Sequence, residues 1–116
     1  MSEASLETSE PLHFCRLAGA DRVNPPLAAG YRRLRDDRGT RKSHFLEGRY
    51  ENIYVDMARL PEARPVLAAA RGCAARILGR PGEDLALGCW FNEMGPGQVT
   101  LSHRHDIHDE LLSGVY

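Results

Sequence analysis

Residues 85–116, LALGCWFNEMGPGQVTLSHRHDIHDELLSGVY, decide how the chain is read, because near residue 82 the apolar spacing turns from helical to alternating. Residues 85–94 are rich in strand formers, and EMGPGQ is a turn signal. Residues 98–105 then continue as a second strand that runs straight into a cluster of histidines. An antiparallel hairpin of 85–94 with 98–105 is expected, with residues 111–116 as a third strand.

Two helices are expected upstream. Pro25-Pro26 opens the segment LAAGYRRLRDDR, in which Leu27, Tyr31 and Leu34 share one face, placing a helix near residues 26–38. In LPEARPVLAAARGCAARILG the prolines are confined to the opening, and Val66, Ala70, Cys73 and Ile77 keep the helical period. Gly79 followed by Pro81 supplies the stop, so a second helix covers residues 62–78, its alanine-rich face suited to close packing on a sheet. Short strands are expected at LHFCRL, residues 12–17, and at ENIYVDM, residues 51–57, where Ile53, Val55 and Met57 point to one side. Residues 1–10 are polar, acidic and aperiodic, which predicts a disordered tail before a single domain over 11–116. The expected class is α+β, with N-terminal helices packed on an antiparallel sheet.

Composition bounds the function classes. Hydrophobic residues make up 42% and charged residues 27%, with a net charge of -1, which excludes a wholly disordered chain and offers nucleic acid no global basic charge. Residues 32–42 carry six positive side chains against Asp36 and Asp37. Such an excess can touch phosphates or acidic partners, or be a solvated helix face and its loop. The second reading is preferred because no aromatic residue interleaves the charges, so a nucleic-acid partner is not expected. The apolar run at residues 66–70 is too short to cross a bilayer, and MSEASLETSE lacks the regions of a signal peptide, so a cytoplasmic protein without membrane contact is expected. Cys15, Cys73 and Cys89 show no paired CxxC spacing and read as small buried hydrophobes in a reducing compartment, not as a disulfide framework or zinc knuckle.

Three of the five histidines, two aspartates and a glutamate fall within residues 103–110. On an extended strand His103 and His105 project side by side while Arg104 points away, so two imidazoles can bite one metal ion. Asp106, His108, Asp109 and Glu110 follow. Their carboxylates can complete a mixed nitrogen and oxygen shell of the kind iron, manganese or zinc accepts, with open positions for co-substrate and dioxygen. His108 lies on the opposite parity and fits a solvent-facing or supporting role. The bland alternative is a polar strand end whose histidines bind nothing.

The run from Trp90 to Tyr116 resembles the first core segment of a family of 2-oxoglutarate and iron(II) dependent oxygenases. That family shows a Trp-x-Asn strand, a glycine-containing turn, a His-x-His strand end and a Ser-Gly-Val-Tyr strand, matched here by Trp90, Asn92, Gly97, His103, His105, Ser113, Gly114, Val115 and Tyr116. The resemblance implies a double-stranded β-helix of jelly-roll type, with iron(II) and 2-oxoglutarate as cofactors. It implies oxidative decarboxylation driving hydroxylation of a small-molecule or peptidyl substrate. It also implies a metal set of His103, His105 and Asp106. Well-known members of the wider superfamily use His-x-Asp, whereas here His105 takes the second position and Asp106 follows it, which requires an unusual triad or a bulge. Trp90 and Asn92 share a face with Gly88 and are candidates to line a cofactor or substrate pocket, with a core role the alternative for Trp90.

The cupin pattern competes on the same residues. Gly97, His103, His105 and Glu110 fit its spacing, while Gly114 comes too soon for its following glycine, and this reading would make Glu110 the ligand. A cupin-type metal-binding protein without oxygenase activity, or a non-catalytic interaction fragment, is therefore the alternative. A β-helix closes with roughly eight strands, and residues after Pro81 supply about three. The chain is accordingly expected to be the N-terminal portion of a longer oxygenase, inactive alone and open to self-association through an unpaired sheet edge.

Overall fold

Helix α1 (Ala20–Leu34) begins five residues before the proline pair expected to open it, so the expected span of 26–38 shifts toward the N-terminus. Gly19, in the left-handed region at φ 71°, turns the chain, and its carbonyl accepts the amides of Arg22 at 2.9 Å and Val23 at 3.1 Å. Pro25 and Pro26 lie inside the helix and cannot donate to the carbonyls four residues back. Both prolines, and Asp21 and Arg22 before them, are exposed, so the carbonyls left without helical partners lie on the solvent-facing side of the helix. The helix stops at Leu34 because Asp36 and Asp37 would oppose the negative end of its dipole. Leu34's carbonyl instead accepts the Asp37 amide at 3.0 Å and the Thr40 hydroxyl at 2.6 Å.

The computed structural model describes residues 12–100 and 110–116. Strands β1 (Arg41–Leu46) and β2 (Arg49–Tyr54) form a two-stranded antiparallel sheet, pairing Arg41 with Tyr54 and Leu46 with Arg49. Glu47 and Gly48 join them with positive φ angles of 48° and 85°, the conformation of a two-residue turn whose twist matches that of the strands. Across the ladder the Arg41 guanidinium lies 4.9 Å from the Tyr54 ring centre, and Phe45 meets Tyr50 edge to face at 4.9 Å. The basic run thus ends in a strand where a loop was expected, and the hairpin falls between the helices, not after both.

Helix α2 (Arg64–Leu78) follows two short 3-10 turns, Met57–Arg59 and Pro61–Ala63. Gly79, at φ 65°, closes it as expected, with the Arg80 amide reaching the Ala75 carbonyl at 3.1 Å. The core consists of Tyr31, Leu34, Ile53, Val55, Leu60 and Ala63, flanked by half-buried Leu27, Met57, Leu67 and Phe91. The expected faces of α1 and of residues 51–57 are therefore the ones that pack. Gly30 is where α1 meets the 3-10 turns: a Cβ there would stand 2.6 Å from Leu60 Cδ1. The alanine-rich face of α2 does not cover the sheet, since Ala68, Ala69 and Ala70 are exposed and α2 rests mainly on Pro61–Ala63 and on a third 3-10 turn, Gly82–Asp84.

The architecture is α+β, with several expected strands absent. Residues 12–17 carry no regular structure, and neither do 111–116. Residues 85–94 and 98–100 form no ladder with each other. Within them Phe91 alone bridges to Ile53, exchanging amide-to-carbonyl bonds of 2.9 and 2.8 Å along the free edge of β2. Cys15 and Cys73 do not stand as separate buried thiols; they are joined in a disulfide, while Cys89 is free and half-buried. The expected tail at 1–10 and the cluster His103, His105, Asp106 and His108 lie outside the described residues. Among the described residues no helix is long and apolar enough to cross a membrane.

Candidate functional site

Arg49 organises residues 92–100, the described stretch that precedes the histidine cluster in the sequence. As the first residue of β2 it leaves the Glu47-Gly48 turn with its guanidinium aimed between the two arms of the loop 92–100. Nη1 donates to Asn92 Oδ1 at 2.7 Å and to the Glu93 carbonyl at 3.1 Å. Nη2 donates to the Val99 carbonyl at 3.0 Å and to Thr100 Oγ1 at 3.2 Å. The side chain is 11% exposed, and Glu51 stands 3.9 Å away to balance its charge. A planar fork of fixed donors suits this task, because it serves two carbonyls and two side chains at once. Backbone carbonyls that a hairpin would have paired with amides are thus taken by an arginine.

Asn92 closes the arrangement by donating from Nδ2 to Thr100 Oγ1 at 3.0 Å, and the Thr100 hydroxyl reaches Met94 Sδ at 3.4 Å. With Arg49 on Oδ1, half of the Asn92 amide's capacity is used among the described residues. Trp90 is 39% exposed, and its ring centre lies 6.2 Å from that of Tyr54. Leu112 and Val115 are exposed, while the Tyr116 hydroxyl donates to Asn24 Oδ1 at 2.6 Å, carrying the end of the chain back to α1.

A second group of polar residues ties the same loop to α1. The buried Tyr31 packs its ring on Phe91, centroids 4.7 Å apart, and donates its hydroxyl to Glu93 Oε1 at 2.8 Å. Arg35 donates to Glu93 Oε2 at 2.7 Å. The Tyr31 hydrogen bond first, and then Arg35, hold the Glu93 carboxyl below the ordinary carboxylate range against the opposing effect of burial. Burial, then the bond to Glu93, pushes the Tyr31 phenol well above its usual value. An open cleft of about 500 Å³ lies here, lined by Arg35, Lys42, Arg49, Tyr50, Glu93 and Gln98. Its cations are already partnered, Lys42 by Asp36 at 3.7 Å and Arg35 by Asp36 and Glu93, so the cleft presents no spare positive charge.

Among the described residues no group of three or more histidine, cysteine, aspartate or glutamate side chains is placed to hold a metal ion. Of the expected site residues the structure places Trp90 and Asn92 on the segment docked against β2, with Glu110 half-buried beyond the cluster. As polar site residues Arg49, Glu93, Arg35 and the Tyr31 hydroxyl were not expected from the sequence, although Tyr31 was expected on the packed face of α1. The Glu-Gly pair before Arg49, between SHFL and RYENIY, is the signal for the hairpin that positions it. The chain matches no family model, no curated protein and no solved structure.

Proposed function

We propose that the chain carries the metal-ligand segment of an iron(II)- and 2-oxoglutarate-dependent dioxygenase, built on His103, His105 and Asp106. The observation that carries this reading is the joint pattern of Trp90, Asn92, His103, His105 and the SGVY run in one stretch. The donor set suits the metal, since two imidazoles and a carboxylate leave positions open on iron(II). When bound, the group supplies the oxidising chemistry that hydroxylates a substrate.

The described residues contribute positioning. Arg49 fixes Asn92 and Thr100 relative to each other, so the chain is held in place as far as Thr100, which precedes His103 by three residues in the sequence. Asn92, whose bonds among the described residues use one donor and one acceptor site, and the half-exposed Trp90 are the residues assigned to orient a small carboxylate or a substrate. A jelly-roll fold belongs to the same proposal.

Anaerobic titration of the purified chain with cobalt(II) as an optical stand-in for iron(II) tests it. One metal per chain is expected, lost in a His103→Ala, His105→Ala variant. Uptake equal in that variant would remove the cluster as a site. Retention in Asp106→Ala together with loss in Glu110→Ala would favour the cupin-type ligand set.

A further inference from the structure

We propose that Cys15 and Cys73 form a reversible redox latch, which fastens residues 12–17 to α2 and releases them when a low-molecular-weight thiol reduces the bond. The first observation is geometric. The Cα atoms are 6.6 Å apart across a sequence separation of 58 residues, a distance that a disulfide spans without moving the backbone.

The second observation is how little else holds the segment. Residues 12–17 have no helix or ladder bonds, and Leu12 and Phe14 are 80% and 89% exposed. Among the described residues the one other polar tie is the Arg76 guanidinium, 4.0 Å from Cys15 Sγ. None of the core residues comes from this segment. Opening the bond therefore frees residues 12–17 without dismantling the packing of Tyr31, Leu34, Ile53 and Leu60.

The third observation is chemical access. Cys15 is exposed, so an attacking thiolate can reach its sulfur. Cys89 is the contrasting case: it is half-buried, and burial alone pushes its thiol up, which keeps it protonated and slow to exchange.

In the opening direction the thiolate of the small thiol attacks Cys15 Sγ, the Cys15–Cys73 bond breaks, and Cys73 departs as a thiolate that takes up a proton. A second small thiolate then attacks its own kind in the mixed disulfide and releases Cys15. Two electrons pass from two small thiols to the protein, leaving one small-molecule disulfide and two protein thiols. Closing is the reverse, with the small-molecule disulfide as oxidant.

The test equilibrates the full chain in glutathione buffers stepped from wholly reduced to wholly oxidised, quenches with acid, alkylates free thiols and maps linked peptides by mass spectrometry. A Cys15–Cys73 peptide is expected in oxidised buffer and its loss in reduced buffer, with the circular dichroism of the folded chain kept throughout. Trypsin supplies the second readout: reduction should speed cleavage after Arg16 by about tenfold, because a freed segment meets the protease without prior opening. Cys73→Ser should cleave at the fast rate in every buffer, and Cys15→Ser, altered at an exposed position, gives the same comparison should Cys73→Ser fail to fold. Linkage through Cys89, a bond that survives reduced glutathione, loss of the folded spectrum on reduction, or a cleavage rate indifferent to redox state would each overturn the latch.

Discussion

Residues 51–57, ENIYVDM, and residues 85–94, LALGCWFNEM, both carry strand-forming residues, but only the first supplies a strand of the sheet. Residues 49–54 have β1 beside them, delivered by a two-residue turn of the right twist, and Ile53 and Val55 are buried. Residues 85–94 touch β2 in register only at Phe91. Beyond it side chains do the holding: Arg71 takes the carbonyls of Gly82 and Leu85, Arg49 those of Glu93 and Val99, and Tyr31 and Arg35 share Glu93. The difference teaches that strand character in a sequence is a capacity that a neighbour must complete. Where the neighbour is missing, arginines satisfy the carbonyls instead.

Truncating the core on which β2 packs should hurt most. Leu34→Ala removes a side chain that is 1% exposed and should cost about 3 kcal/mol in urea unfolding. Next comes Gly30→Ala, whose methyl would stand 2.6 Å from Leu60 Cδ1 and should cost about 2 kcal/mol through overpacking. If Gly30→Ala proved stabilising, the contact between α1 and the 3-10 turns would be looser than described.

Arg49→Gln sharpens the comparison from the other side. It strips charged hydrogen bonds from an enclosed site and should cost about 2 kcal/mol. Hydrogen exchange should quicken at the amides of residues 92–100 while those of α1 keep their protection. Equal loss of protection in both regions would mean that the loop and the core unfold as one unit. By contrast Leu87→Ala, at a side chain 41% exposed, should stay within about 0.5 kcal/mol.

The smallest effect is on pH. Glu93 is held below the ordinary carboxylate value, so its contribution is present above the unfolded-state value and is lost as pH falls through the depressed one. Tyr31 is held above its usual value of 10.0, so its contribution is present below that and is lost as pH rises beyond it. Glu93 is half exposed, which screens the interaction to a fraction of a kcal/mol. Acid unfolding of Tyr31→Phe against the parent chain should show the low-pH component shrink. An unchanged acid limb would remove the Tyr31–Glu93 bond as its source.

Helical period was legible from spacing alone: Tyr31 and Leu34 pack as read, and Gly79 stops α2 where its φ of 65° requires glycine. The start of α1 was not, because Gly19 and solvent exposure together let two prolines sit inside a helix. Strand β1 was hidden by its charges, since Arg41 and Lys42 read as a solvated run although Arg41 uses its cation on Tyr54. The expected hairpin failed through long-range contacts that no local pattern encodes; Arg49 meets Asn92 across 43 residues. The disulfide was missed for the same reason, its partners lying 58 residues apart. Trp90 and Asn92 were pocket candidates on a shared strand face and a family pattern, whereas nothing local pointed to the arginine that fixes Asn92.

The Glu47-Gly48 turn carries a consequence for how the chain can change over generations. In a β-hairpin one added residue at the turn slips the register and sends each following side chain to the opposite face. Arg49 is the first residue to feel such a slip, and its guanidinium would then leave the gap between residues 92–93 and 99–100. Surface turns are ordinarily where insertions are forgiven. Here turn length acts as a measuring device for a distant loop, so an insertion at residues 47–48 would disturb residues 92–100 without touching them, and lengthening would be better tolerated elsewhere on the surface.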